Sequence, residues 1–133
     1  MSATVVISLG SNLGNREWHL RAAIEELRRV IHVVRISGIR ETEPVGAPPP
    51  RYLNCVVAAY TDLSPEALLR ELQRIETRLG RRRPYRNAPR TIDLDLILHS
   101  ANRRHSRELT LPHPRYHERE FVLQPMRELG LIY

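Results

Sequence analysis

Strand and helix signals alternate along the chain as β-α-β-β-α-β, which predicts an α+β, ferredoxin-like fold: an antiparallel sheet with its helices packed on one face and a ligand cleft on the other. Three observations carry this. Apolar runs of strand type begin near Thr4, Val33, Tyr52 and Ile92. Two stretches with apolar residues at helical spacing separate them. No repeat, low-complexity tract or linker interrupts the 133 residues, so 1–133 reads as one domain with one core.

Each element has its own local cause. "TVVISL" (Thr4–Leu9) is a β-branched run closed by Gly10, the pattern of a buried first strand. After the turn "GSNLGN", Asn15 is placed to cap a helix carrying Leu20, Ile24, Leu27 and Ile31, with Glu17 in its favourable first turn. "VVRISGIRETE" predicts a strand of mixed polarity, and "EPVGAPPPR", with four prolines and a glycine, breaks it into a stiff loop. The next strand runs from Tyr52 to about Leu63. Ser64-Pro65 then starts a helix with Ser as N-cap and Pro at the first position, and Leu68, Leu72, Ile75 and Leu79 recur until Gly80 ends it. An arginine loop, "RRRPYRNAPR", leads into the strand "TIDLDLIL". The remainder predicts a turn, a short strand and a final helical or irregular piece.

Composition narrows the partners. All 21 basic residues are arginine and the net charge is +6, which favours anionic ligands. The lone Cys55 has no internal disulfide partner, and the apolar run near the start is too short for a signal peptide or a membrane span. The expectation is a soluble, cytoplasmic monomer that engages neither membrane nor nucleic acid.

Chemistry concentrates on one strand. Alternation puts Ile92, Leu94, Leu96 and Leu98 on the core side and Thr91, Asp93, Asp95 and Ile97 on the other, with successive same-face residues about 6.6 Å apart. Two carboxylates so placed either sit solvated beside loop arginines or converge on magnesium, which takes oxygen ligands and is completed by substrate phosphates. Arg78, Arg81, Arg82, Arg83, Arg86 and Arg90 fall within thirteen acid-free residues just before this strand. Magnesium with arginine forks is the equipment of phosphoryl transfer.

Absences exclude other classes. With no G-x-x-x-x-G-K-[ST] and no lysine, neither a Walker-type NTPase nor a standard protein kinase fits. Cys55 shares a predicted core face with Val57 and Ala59, which argues against a nucleophilic role. Tyr52 and Asn54 share the opposite face, where a ring beside an amide suits a flat heterocycle. His113 and His117 lack a third partner in any zinc pattern. An RNA-recognition module is the rival for a basic sheet of this type, but its aromatic-rich signature is missing and two aspartates would repel a phosphate backbone.

The ordered set "SLGSNLGNRE", "ETEPVG", "YLNCVV", "LQRIETRLGR", "RNAPRTIDLDLIL", "LTLPHPR" and "REFVLQP" resembles the 6-hydroxymethyl-7,8-dihydropterin pyrophosphokinase family of folate biosynthesis. The resemblance implies transfer of pyrophosphate from ATP to 6-hydroxymethyl-7,8-dihydropterin with release of AMP and two Mg2+ ions. By motif position it implies that Asp93 and Asp95 hold the ions. Tyr52 and Phe121 would sandwich the pterin, with Asn54, Thr42, Pro44 and Val45 reading its edge. Arg81, Arg83 and Arg90 would meet phosphates, and Gln73, Glu76, Thr110, His113 and Arg119 would lie on the ATP side. The chain departs from some members at Asn87, where they carry tryptophan, and at Pro114, where they carry tyrosine.

Overall fold

The computed structural model describes residues 3–42, 51–80, 91–100, 103–107, 109–113 and 119–130. Its elements are β1 (Ala3–Ser11), α1 (Arg16–Arg28), β2 (His32–Ile36), β3 (Arg40–Thr42), β4 (Tyr52–Thr61), α2 (Pro65–Arg78), β5 (Asp93–His99), β6 (Arg104–His105), β7 (Thr110–Leu111) and α3 (Glu120–Glu128). The main sheet runs β2-β4-β1-β5, with β3 also on β4, and every pairing within it is antiparallel. β6 and β7 form a separate hairpin.

Both long helices start where their caps predict. The Asn15 side chain accepts a hydrogen bond from the Trp18 amide at 3.0 Å, and the Ser64 hydroxyl accepts one from the Ala67 amide at 3.1 Å, with Pro65 at the first position of α2. Leu20, Ala23, Ile24 and Leu27 of α1 and Leu68, Leu72 and Ile75 of α2 bury themselves on one sheet face. That face presents Val5, Ile7 and Leu9 of β1, Cys55, Val57 and Ala59 of β4, and Leu94 and Leu96 of β5. The expected grouping of Cys55 with the core is thus borne out.

The other face is not free, contrary to the expectation that all helices lie on one side. α3 lays Val122, Met126 and Leu129 across Val6, Val56, Ala58, Ile97 and Leu98, forming a second apolar cluster. Its C-terminal end is tied down at the sheet edge, where Arg35 donates to the Leu129 carbonyl at 2.7 Å and Glu128 accepts from the Gly38 amide at 2.6 Å and from Arg40 at 2.7 Å.

Three further local expectations are corrected. Leu98 belongs to this second face, because Val6 pairs with Leu98 while Ile7 pairs with Leu96, so Ile97 is the extra residue of a β-bulge that resets the alternation. The predicted single strand after α1 splits into β2 and β3 at Ser37, whose amide donates to the Val56 carbonyl while its hydroxyl accepts from the Val56 amide. β1 continues through Gly10 to Ser11 instead of stopping at Leu9.

Candidate active site

The end of the second face that lies away from α3's apolar contacts is polar, and three strands build it. In register, Asn54 of β4 lies opposite Gly10 of β1, and Gly10 lies opposite Asp93 of β5. One step along, Ser8 faces Val56 on one side and Asp95 on the other. Asp93 and Asp95 are half-buried, whereas Leu94 between them is buried in the first core. The predicted sharing of one face by the two aspartates therefore holds.

Gly10 is the floor of this row. A Cβ there would lie 3.0 Å from the Asn54 Oδ1 and 3.3 Å from the Tyr52 ring, so any larger residue would press both side chains away from where they lie over β1. Asn54 is buried, and its Nδ2 donates a hydrogen bond to the Thr42 hydroxyl. Thr42, the partner of Tyr52 in the β3–β4 ladder, is thereby fixed beside it. Tyr52, Asn54 and Thr42, three of the residues expected at the pterin, are thus brought together.

The ends of the β3–β4 connection are clamped. Glu41 accepts from Arg16 at 3.1 Å and from Arg51 at 3.3 Å, and Arg16 also donates to the Arg51 carbonyl at 2.8 Å. The hydrogen bond from Arg16, then that from Arg51, holds the Glu41 carboxyl below its ordinary range. Cys55, one residue beyond Asn54 but on the core face, is pushed up to about 12 by burial, which disfavours the thiolate that a nucleophile needs.

On the outer side of β5, Asp95 lines a cleft of about 250 Å³ together with Leu69, Ser106, Arg107, Thr110 and His113. The His113 amide donates to the Ile97 carbonyl at 2.8 Å, which sets that residue against the strand end. Thr110 and His113, both expected on the nucleotide side, thus line the same cleft as Asp95. Arg119 and Phe121 meet each other at the start of α3, with the guanidinium carbon 5.6 Å from the ring centre. Phe121 also packs against the second apolar cluster.

Two further expected residues belong to α2. Gln73 is exposed on α2. Glu76, one turn later, is buried, and its Oε2 accepts from the Leu94 amide at 2.8 Å. That bond ties α2 to the backbone between the two aspartates. Arg81, Arg83, Arg90, Pro44 and Val45, with Asn87 and Pro114, lie outside the described residues.

Sequence reasoning missed Gly10, Ser106 and Arg107. A glycine inside an apolar strand run was the available signal for Gly10, since such a glycine often marks close approach of another group. The two-residue strands beside Ser106 and Arg107 are too short for any periodicity to reveal.

Among the described residues no group of three or more His, Cys, Asp or Glu converges as a metal cage. Two carboxylates on one face fit magnesium nonetheless, because that ion keeps waters and takes phosphate oxygens in place of further protein ligands.

The profile of the 7,8-dihydro-6-hydroxymethylpterin-pyrophosphokinase family matches residues 6–130, nearly the whole chain. The chain belongs to this family. Its activity is accordingly that of a pyrophosphokinase acting on the hydroxymethylpterin of folate biosynthesis. It is 42% identical over 132 residues to the 2-amino-4-hydroxy-6-hydroxymethyldihydropteridine pyrophosphokinase of Bacillus subtilis, an alignment covering 97% of this chain and 79% of the relative. The enzyme of the same name from Haemophilus influenzae is 40% identical over 130 residues, covering 96% and 81%. The mitochondrial folate synthesis bifunctional protein of Pisum sativum is 42% identical over 127 residues, covering 94% of this chain and 25% of that protein. No helix among the described residues is long and apolar enough to cross a membrane.

Proposed function

We propose that the polar half of the second sheet face binds 6-hydroxymethyl-7,8-dihydropterin beside Mg-ATP and moves the β,γ-pyrophosphoryl group of ATP directly to the pterin. The observation that carries this reading is the row of Asn54, Gly10 and Asp93, with Thr42 bonded to Asn54 and with Asp95 on the same face. It sets a recognition group for a flat heterocycle next to a pair of carboxylates.

In this reading the pterin ring rests on Tyr52, with Phe121 from α3 as its second wall. Asn54 and Thr42 read its edge, and Pro44 and Val45 continue that wall. Asp93 and Asp95 hold two magnesium ions, which when bound neutralise phosphate charge and orient the polyphosphate. The hydroxymethyl oxygen forms a bond to the β-phosphorus. The bond from that phosphorus to the α,β-bridging oxygen breaks, AMP leaves with the bridging oxygen, and the hydroxyl proton passes to water. Arg81, Arg83 and Arg90 neutralise charge on the transferring group, and Thr110, His113 and Arg119 contact the nucleotide. Glu76 acts through the Leu94 amide, and Gln73 approaches ATP from the exposed face of α2.

We further read the fold as ferredoxin-like and the chain as one domain over 1–133, acting as a cytoplasmic monomer. The order β2/β3-β4-β1-β5, with α1 and α2 connecting strands across one face, supports the first part, and two apolar clusters sharing a single sheet support the second.

The test is AMP release from Mg-ATP with and without 6-hydroxymethyl-7,8-dihydropterin. AMP formed only when the pterin is present is expected. AMP formed equally without it would overturn direct transfer to the pterin.

A further inference from the structure

We infer that Arg107 is a phosphate-binding residue of the nucleotide cleft, an inference that rests on reading that cleft as the ATP side of the site. Arg107 lies in the turn of the β6–β7 hairpin and lines the cleft with Asp95, Thr110 and His113. The turn is held on both sides. The Ser106 amide donates to the Leu109 carbonyl at 2.9 Å, and the Leu109 amide donates to the Ser106 hydroxyl at 3.1 Å. Three residues earlier, Arg104 makes two bonds to the Glu66 carboxylate, at 2.7 and 3.2 Å, which fasten the hairpin to the first turn of α2.

Charge pairing separates the two arginines. Arg104 is consumed by Glu66, whereas Arg107 makes no hydrogen bond or ion pair among the described residues. A guanidinium with no carboxylate partner among the described residues, carried on a turn that is itself fixed, loses little freedom when it forks onto a phosphate. It also faces a cleft whose carboxylate, Asp95, is assigned to magnesium. An anion bridging the two has a cation on each side. A neutral nucleoside has no such need of Arg107.

The experiment compares the wild-type chain with Arg107→Gln and Arg107→Lys. It titrates each with the magnesium complex of α,β-methylene-ATP, with adenosine and with 6-hydroxymethyl-7,8-dihydropterin. Arg107→Gln is expected to weaken the ATP analogue about tenfold, leave adenosine and pterin affinities unchanged and flatten the salt dependence of analogue binding. Arg107→Lys is expected to recover most of the loss. Unchanged analogue affinity in Arg107→Gln would overturn the inference while leaving the nucleotide cleft standing. An equal loss for adenosine would also overturn it, since the turn would then be shaping the cleft without touching phosphate. Failure of the wild-type chain to bind the analogue at all would instead overturn the ATP reading on which it rests.

Discussion

The two faces of the sheet are made by alternate residues of the same strands, yet they have different chemistry. On the face under α1 and α2, β1, β4 and β5 present unbroken rows of Val, Ile, Leu, Ala and Cys. On the opposite face the apolar row extends only as far as α3 covers it, through Val6, Val56, Ala58, Ile97 and Leu98, and beyond that come Ser8, Gly10, Asn54, Asp93 and Asp95. A carboxylate beside a packed core is costly, so its presence marks where packing was given up for another task. A single face therefore holds a packed, structural half and a polar half that the proposed function makes the chemical half, and substitutions in the two halves should fail in different ways.

The largest separation is expected from Asp95→Asn. It keeps shape and hydrogen-bonding capacity but removes a charge from the polar half, and should cut pterin-dependent AMP release by roughly 10² to 10³, the scale of one electrostatic group in a site. Melting temperature should stay close to that of the parent. Near-normal turnover would end the assignment of the aspartates to magnesium. In the structural half, Met126→Ala should do the reverse. Met126 is fully buried under α3, and its truncation should lower unfolding free energy by about 2–5 kcal/mol in urea titrations while the folded fraction turns over normally. Lost activity without lost stability would mean α3 shapes the site as much as it covers the sheet.

Gly10→Ala tests the boundary between the halves. Its backbone is not in the left-handed region, so alanine is conformationally allowed and in a strand would ordinarily stabilise by about 0.5–1 kcal/mol. Here the new Cβ would press on the Asn54 amide at 3.0 Å and shift it from Thr42. Pterin affinity should fall about tenfold, or ~1.4 kcal/mol, with folding little changed. A pterin Kd equal to wild type would mean the Asn54–Thr42 pair is not what reads the ligand.

Much of this contrast is legible in the sequence, for identifiable reasons. Alternation alone places Asp93 and Asp95 opposite Leu94 and Leu96, and Tyr52 and Asn54 opposite Cys55. It fails at Leu98, because a bulge adds a residue that no local pattern announces. It does not foresee α3 on the second face, since amphipathicity shows that a helix has an apolar side but not which sheet face receives it. The bond from the Leu94 amide to Glu76 is not legible either, because a backbone amide as partner has no sequence signature. Arg107 escapes because its importance depends on which neighbouring arginine already has a carboxylate, a fact of three-dimensional pairing.

The smallest expected effect concerns the Arg16–Glu41–Arg51 clamp, which lies at the exposed rim of the chemical half. Glu41 holds together the start of α1 and both ends of the β3–β4 connection that carries Thr42 and Tyr52, so Glu41→Gln should raise the KM for pterin about twofold to threefold and leave kcat alone, in proportion to the modest strength of an exposed ion pair. Its pH signature follows from the direction of the shift. The folded carboxyl titrates below its unfolded value of about 4.3, so its contribution is complete above that pH and is lost as pH falls through the folded value. Melting temperatures measured from pH 6 to pH 3 should therefore converge for parent and variant as acidity rises. Parallel curves over the whole range would show that the clamp holds by hydrogen-bond geometry that survives protonation, and that the ionic state of Glu41 is irrelevant to the rim.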